Sequence, residues 1–201
     1  DIGGATTDVY SMASGEPTVD NTMLKGLPEP WMKRTVEGDL GMRYSLTHVF
    51  EQIPGADNPE NEYMQQVKAW VELCTARPDT LAAPDSEEEK LEEFLGRSAV
   101  SMAVERHCGR IADVFTPLGL MHTQEGKDLM NVPSVIGIGG VLRNSRRPEE
   151  ILKGSLYDFM HPECTKPRKP KFYLDQKYIF ASMGLLRSIN PELAFELLDK
   201  E

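Results

Sequence analysis

Two glycine-bearing segments carry the residue types that could bind a polyphosphate. The first is Asp1-Ile2-Gly3-Gly4-Ala5-Thr6-Thr7-Asp8, followed by the apolar Val9-Tyr10-Ser11-Met12. The second is Val135-Ile136-Gly137-Ile138-Gly139-Gly140-Val141-Leu142. Glycine frees the backbone for positive φ and lets amide groups approach an anion without a Cβ in the way. In the first segment the amides of Gly3, Gly4, Ala5, Thr6 and Thr7 and the threonine hydroxyls could donate to phosphate oxygens. Asp1 could hold magnesium, most simply through water, because that ion keeps much of its hydration shell. Asp8 has two open readings, a second magnesium carboxylate or a cap on its own backbone. Each segment alone is also ordinary turn material.

These segments need strands that end where the glycines begin. Pro133-Ser134-Val135-Ile136 reads as a strand running into Gly137, and a helix start follows, as a site at a strand's carboxyl end requires. Val9 to Met12 continues a hairpin from the first loop. A strand or loop starts at Pro17-Thr18-Val19, and Lys33 to Glu37 is the next strand. Gly38-Asp39 then opens a helix with Asp39 as N-cap, whose N-terminus would attract anions through the Gly38 backbone. Asn58 and Pro59 open a second helix carrying Tyr63, Met64, Val67, Trp70, Val71 and Cys74 at helical spacing. Ser86-x-x-Glu89 is a capping box, and Gly96 divides its helix from the next. That next helix spans about 97–115 with the stripe Val100, Ala103, Val104, His107, Ile111 and Val114. His107 on this stripe reads as a core histidine. Short helices start at Pro148, after Asp175 and at Pro191. Strands, then helices, then a strand, then helices predict an α/β fold, a mixed sheet covered by helices.

The chain has 201 residues, a net charge of −10 and three cysteines, Cys74, Cys108 and Cys164. The acidic balance argues against nucleic acid and anionic membranes, which need a basic face. The unpaired cysteine spacing suits a reducing cytoplasm. His161-x-x-Cys164 is half of a metal spacing without a second half. The basic run Lys166-Pro167-Arg168-Lys169-Pro170-Lys171 reads as a solvated connector. A motif that belongs at a strand's carboxyl end starts at position 1, so an upstream strand is expected.

Asp1 to Asp8 resembles the second phosphate loop of the actin, sugar kinase and heat-shock chaperone ATPases (the ASKHA superfamily), and Val135 to Val141 resembles their adenosine motif. Within that superfamily the chain is most similar to the MutL-type accessory proteins of glutamate mutase (GlmL). The likeness rests on the first loop through Ser11, on Arg34 to Arg43, on Glu105-Arg106-His107, and on Leu174 to Ile179 with Gly184-Leu185-Leu186. It implies the ribonuclease-H-like, C-terminal half of an actin-like ATPase, with a core of about residues 1–38 and 116–201 and a helical subdomain insertion of about 39–115. The N-terminal half would lie outside this sequence. It also implies ATP and magnesium as cofactors. Contacts would come from Gly3, Gly4, Ala5, Thr6, Thr7, Asp8, Gly38, Gly137, Gly139, Gly140, Val141 and Arg106. Arg143 and Asn144 follow on the next turn, within reach of ribose or base, with a solvated surface as the other reading. Cys108 and Gly109 stand where chaperone relatives carry basic side chains, which weakens the carry-over to Glu105 and Arg106. The implied function is an ATP-dependent reactivating chaperone of an adenosylcobalamin-dependent mutase. A small-molecule kinase and an actin-like scaffold are the alternatives within the superfamily.

Overall fold

A computed structural model describes residues 1–117 and 119–199. In it the first segment runs into strand β1 (Thr7–Met12), which pairs antiparallel with β3 (Met32–Glu37) from Thr7 opposite Glu37 to Met12 opposite Met32. Strand β2 (Thr22–Lys25) lies beside β5 (Gly119–Glu125), which pairs antiparallel with β4 (Arg110–Thr116). Strand β6 (Ser134–Gly137) pairs in parallel with β7 (Lys171–Leu174). The expected mixed sheet is thus three small sheets among the described residues. Of the strand or loop expected at Pro17, the structure shows a loop leading to β2, and β4, β5 and β7 are strands that the sequence pattern did not disclose.

Helices α1 (Leu46–Glu51), α2 (Glu62–Ala76) and α3 (Glu87–His107) follow β3. Several expected boundaries move, each for a local reason. α1 starts after Ser45, not at Asp39. Residues 38–45 form turns and bends because Met42, Arg43 and Tyr44 donate their amides to Gly3 and Gly4 rather than to a helix. α2 is capped by Asn61, whose carboxamide oxygen accepts from the Met64 amide, while Asn58 closes its own turn onto Glu60. Ser86 caps α3 through the Glu89 amide, as the capping box predicts, but Glu89 reaches back to the Asp85 amide.

α3 runs unbroken through Gly96. There a Cβ would meet the Ile151 side chain at 3.2 Å, so the glycine serves close packing. The helix ends at His107, and the chain reverses at Cys108-Gly109. The Gly109 amide donates to the Lys127 carbonyl, and a Cβ at Gly109 would lie 2.8 Å from the Gly126 carbonyl carbon. Ile111 and Val114 therefore sit on β4, which suits their β-branched side chains.

Beyond β6 come α4 (Gly140–Asn144), α5 (Pro148–Leu152) with a 3₁₀ turn at Lys153–Ser155, α6 (Phe180–Arg187) and α7 (Pro191–Asp199). One apolar core joins these parts. Ile2, Leu40, Val67, Trp70, Leu95, Ala99, Leu142 and Ile151 belong to a single buried cluster. The helices between β3 and β4 thus share their core with both glycine segments. The Trp70 and Met64 side chains are in that core, whereas Tyr63 is half-exposed and meets Phe94 edge-on at 5.5 Å. No helix of the described residues is long and apolar enough to cross a membrane.

Candidate functional site

The first segment folds as a tight hairpin. The Gly3 amide donates to the Thr6 carbonyl at 2.9 Å, and the Asp8 amide donates to the Asp1 carbonyl at 2.8 Å. Its tip is Gly4-Ala5. The carbonyls of the tip face inward: Gly3 accepts from Met42, Gly4 from Arg43 and Tyr44, and Ala5 from the Ser45 hydroxyl at 3.0 Å. That same hydroxyl lies 2.8 Å from the Gly38 carbonyl. Ser45 therefore fastens Gly38 to the tip. Gly41 packs so closely that a Cβ there would lie 2.2 Å from the Ala5 carbonyl carbon. With the carbonyls committed inward, the amides of Gly4, Ala5 and Thr6 make no hydrogen bond to any described residue. Three consecutive amide donors on this turn are therefore uncommitted.

The second segment adjoins the first. The Ile2 amide donates to the Ile138 carbonyl at 2.8 Å. Gly139 takes φ 122° and ψ 162°, a region essentially reserved for glycine, and a Cβ there would lie 2.2 Å from the Ile2 carbonyl oxygen. Gly137 is also close-packed, with a Cβ there 2.7 Å from the Leu142 and 2.9 Å from the Leu152 side-chain ends. At Gly140, by contrast, a Cβ would meet nothing within 4 Å. Val141 is buried beneath that open surface. The Gly137 carbonyl accepts from the Asp175 amide, and the Asp175 carboxylate caps the start of α6 through the amides of Ile179 and Phe180. Arg143 is exposed and lies over the Tyr178 ring at 5.6 Å.

The side chains around the tip divide into committed and free. The Thr7 hydroxyl donates inward to the Leu40 carbonyl at 2.6 Å and is buried, so it does not face a ligand. Thr6 donates to Asp8, and Asp8 also accepts twice from Arg34, at 2.7 and 3.0 Å. Asp8 is thereby a side-chain partner of Arg34 and Thr6, and it does not cap the hairpin backbone. Asp1 is exposed, and its carboxylate pairs with no cation among the described residues. Arg106, at the C-terminal end of α3, binds Glu37 at 2.6 Å, Asp39 at 2.7 and 2.8 Å, and Gln52 at 2.6 Å. Its guanidinium holds the Asp39 carboxyl well below the usual carboxylate range. Asp39 is thus an ion-pair residue and not a helix cap. Arg106 anchors the turn that presents Gly38, and Glu105 pairs with Arg110.

Behind the hairpin stands His107. Its Nδ1 lies 2.8 Å from the Thr35 hydroxyl and its Nε2 lies 2.8 Å from the Ser11 hydroxyl, so it cross-links α3, β3 and β1. Burial first, then the charges of Lys33 and Lys127, push its pKa down to about 4. It is the core histidine its stripe predicts. Lys127, fully buried, donates to the carbonyls of Pro30 and Trp31 at 2.9 and 2.6 Å. Neither Ser45 nor Lys127 has a sequence signal, because their partners are backbone carbonyls contributed by remote segments.

The cysteines are free and buried, and burial raises the Cys108 thiol to about 12. Among the described residues no cluster of histidine, cysteine or carboxylate side chains could hold a metal, and His161 is exposed while Cys164 is buried.

The whole chain, residues 1–201, matches the family model described as MutL protein. It is 44% identical over 203 residues to "Protein MutL" of Clostridium tetanomorphum. The chain belongs to the MutL protein family. All of this chain is covered by that likeness but only 44% of the relative, so it spans less than half the length of the curated MutL protein it matches. No solved structure matches it.

Proposed function

We propose that this MutL-family chain carries the nucleotide-binding half of an ATP-dependent accessory protein. The protein would reactivate an adenosylcobalamin-dependent mutase of the glutamate mutase type. The observation that carries the reading is the hairpin tip, where the Gly4, Ala5 and Thr6 amides point away from a committed backbone. Those donors suit the β- and γ-phosphates of ATP. The exposed Asp1 carboxylate suits a magnesium ion held through water. The open surface at Gly140 leaves room for adenosine to lie against the backbone, beside the buried Gly137, Gly139 and Val141. Gly38, fastened to the tip by Ser45 and steadied through Arg106, adds a bare backbone edge on which a Cβ would meet nothing within 4 Å.

Bound magnesium and triphosphate supply the phosphoryl chemistry. This chain's residues bind and orient them. A nucleotide can drive work on a client only by binding two conformations with different affinity. The segment 38–45, whose residues 42–45 bond the hairpin tip and lead directly into α1, is the element through which occupancy of the tip would reach the helices.

Titrating the full-length protein with a fluorescent ATP analogue should give saturable binding that Gly140→Val abolishes and Thr7→Val preserves. Equal binding by Gly140→Val and the parent overturns the site. Adding full-length protein, ATP and magnesium to an inactivated glutamate mutase should restore its activity. Intact nucleotide binding without recovery would remove the client and leave the nucleotide site standing.

A further inference from the structure

A second group of polar residues gathers on a different surface of α3. Between that helix and the 3₁₀ turn lies an open groove of about 480 Å³, within the range of small-molecule sites. Arg97 and Ser101 stand on its helical wall, and Tyr157 and Phe159 stand opposite, ring edge to ring face at 5.3 Å. Its floor is rigid. A Cβ on Gly154 would lie 2.3 Å from the Arg97 carbonyl oxygen, so only glycine lets the turn sit this close to the helix.

The chemistry of the groove is set from behind by Lys166, which is 2% exposed and donates from Nζ to the Ser101 hydroxyl at 3.0 Å. The proline-rich basic run is therefore not wholly solvated: its first lysine is buried. Burying an ammonium is costly unless its charge and donors are answered. Here neither Lys166 nor Arg97 forms an ion pair with a described residue. Glu150 pairs with Lys153 at 2.5 Å and also feels the charge of Arg97, while Asp158, on the groove wall, accepts from the Met160 amide at 2.9 Å. Ser101 accepts from Lys166, which leaves its own proton to donate, and it makes no other hydrogen bond among the described residues. One hydroxyl donor, the buried Lys166 ammonium behind it and the exposed Arg97 guanidinium at the rim thus stand beside aromatic rings.

We propose that this groove binds a small anionic ligand. Its phosphate or carboxylate head would lie between Arg97 and the Ser101–Lys166 pair, and its apolar, planar body against Tyr157 and Phe159. The groove shares no residue with the glycine segments and stands or falls independently of the nucleotide site.

The test uses the full-length protein and three probes: naphthyl phosphate, naphthoate and uncharged naphthol. Calorimetry should show saturable binding of at least one anionic probe, undiminished by saturating ATP, and none of naphthol. Arg97→Ala and Ser101→Ala should each weaken it by about tenfold or more, the loss of one charge-assisted hydrogen bond. Lys166→Met should abolish it. Should that variant fail to fold, the two alanine variants decide. Preference for the phosphate or the carboxylate probe identifies the head group. The proposal is overturned if neither anion binds, if naphthol binds equally well, if ATP displaces the probe, or if both alanine variants bind like the parent.

Discussion

Replacing Gly139 with alanine should pull the two glycine segments apart, and the structure sets the size of the effect. The new Cβ would stand 2.2 Å from the Ile2 carbonyl oxygen. A carbon and a carbonyl oxygen need about 3.3 Å, so the Ile2 peptide must retreat by roughly 1 Å. That motion stretches the Ile2–Ile138 hydrogen bond, now 2.8 Å, beyond useful range. Ile2 is 3% exposed, so water does not replace the bond, and its loss costs about 1–3 kcal/mol. Holding a non-glycine residue at φ 122° adds about 1–3 kcal/mol. The sum, about 2–6 kcal/mol, is a large part of the roughly 5–15 kcal/mol that holds a domain together.

Gly140 is the internal control, because its Cβ would enter open space at the first turn of a helix. Gly140→Ala should be neutral or stabilising by up to about 1 kcal/mol. Urea unfolding of the two variants beside the parent measures both. A Gly139→Ala protein within about 0.5 kcal/mol of the parent, the scatter of ordinary surface substitutions, would refute the contact reasoning. So would two variants of equal stability.

Three further outcomes follow from the same geometry. Burial depresses the folded-state pKa of His107 from 6.5 to about 4, so the unfolded chain takes up its proton first. Stability is complete above pH 6.5 and falls as the pH drops toward 4, by about 3 kcal/mol in all. His107→Gln should flatten that part of a stability–pH profile. Arg43 and Glu92 form a largely buried pair at 2.5 Å, and Arg43 also donates to the carbonyls of Pro78, Met42 and Thr80. Arg43→Met strands the carboxylate and should cost about 3–5 kcal/mol in denaturant unfolding, partly recovered by adding Glu92→Leu. Thr7→Val removes the buried bond to the Leu40 carbonyl and should lower stability by about 1–3 kcal/mol in the same measurement.

What could be read in the chain before folding was local. The glycines of both segments, the strand leading into Gly137, the Ser86 cap, the Pro191 helix start and the helical stripe that buries His107 all depend on neighbours a few residues away. Their physics, positive φ, an orphan amide or a periodic apolar face, is complete within a short window. The boundaries that moved depend on remote partners. Residues 38–45 lose their helix to the hairpin's carbonyls, Gly96 stays helical because Ile151 packs on it, and Ile111 joins a strand because Gly109 turns the chain against Gly126.

The same division runs through the site. Residue types alone marked Gly3 to Thr7 as a backbone able to approach phosphates, and Gly137, Gly139 and Gly140 as one able to lie against adenosine. Only the tertiary structure decided that Thr7 faces inward, that Asp8 is held by Arg34, that Arg106 is engaged with Glu37 and Asp39, and that Ser45 ties Gly38 to the tip. A side chain's chemistry is fixed by its covalent structure. Whether its donors and charges are free for a ligand depends on which distant groups reach them first.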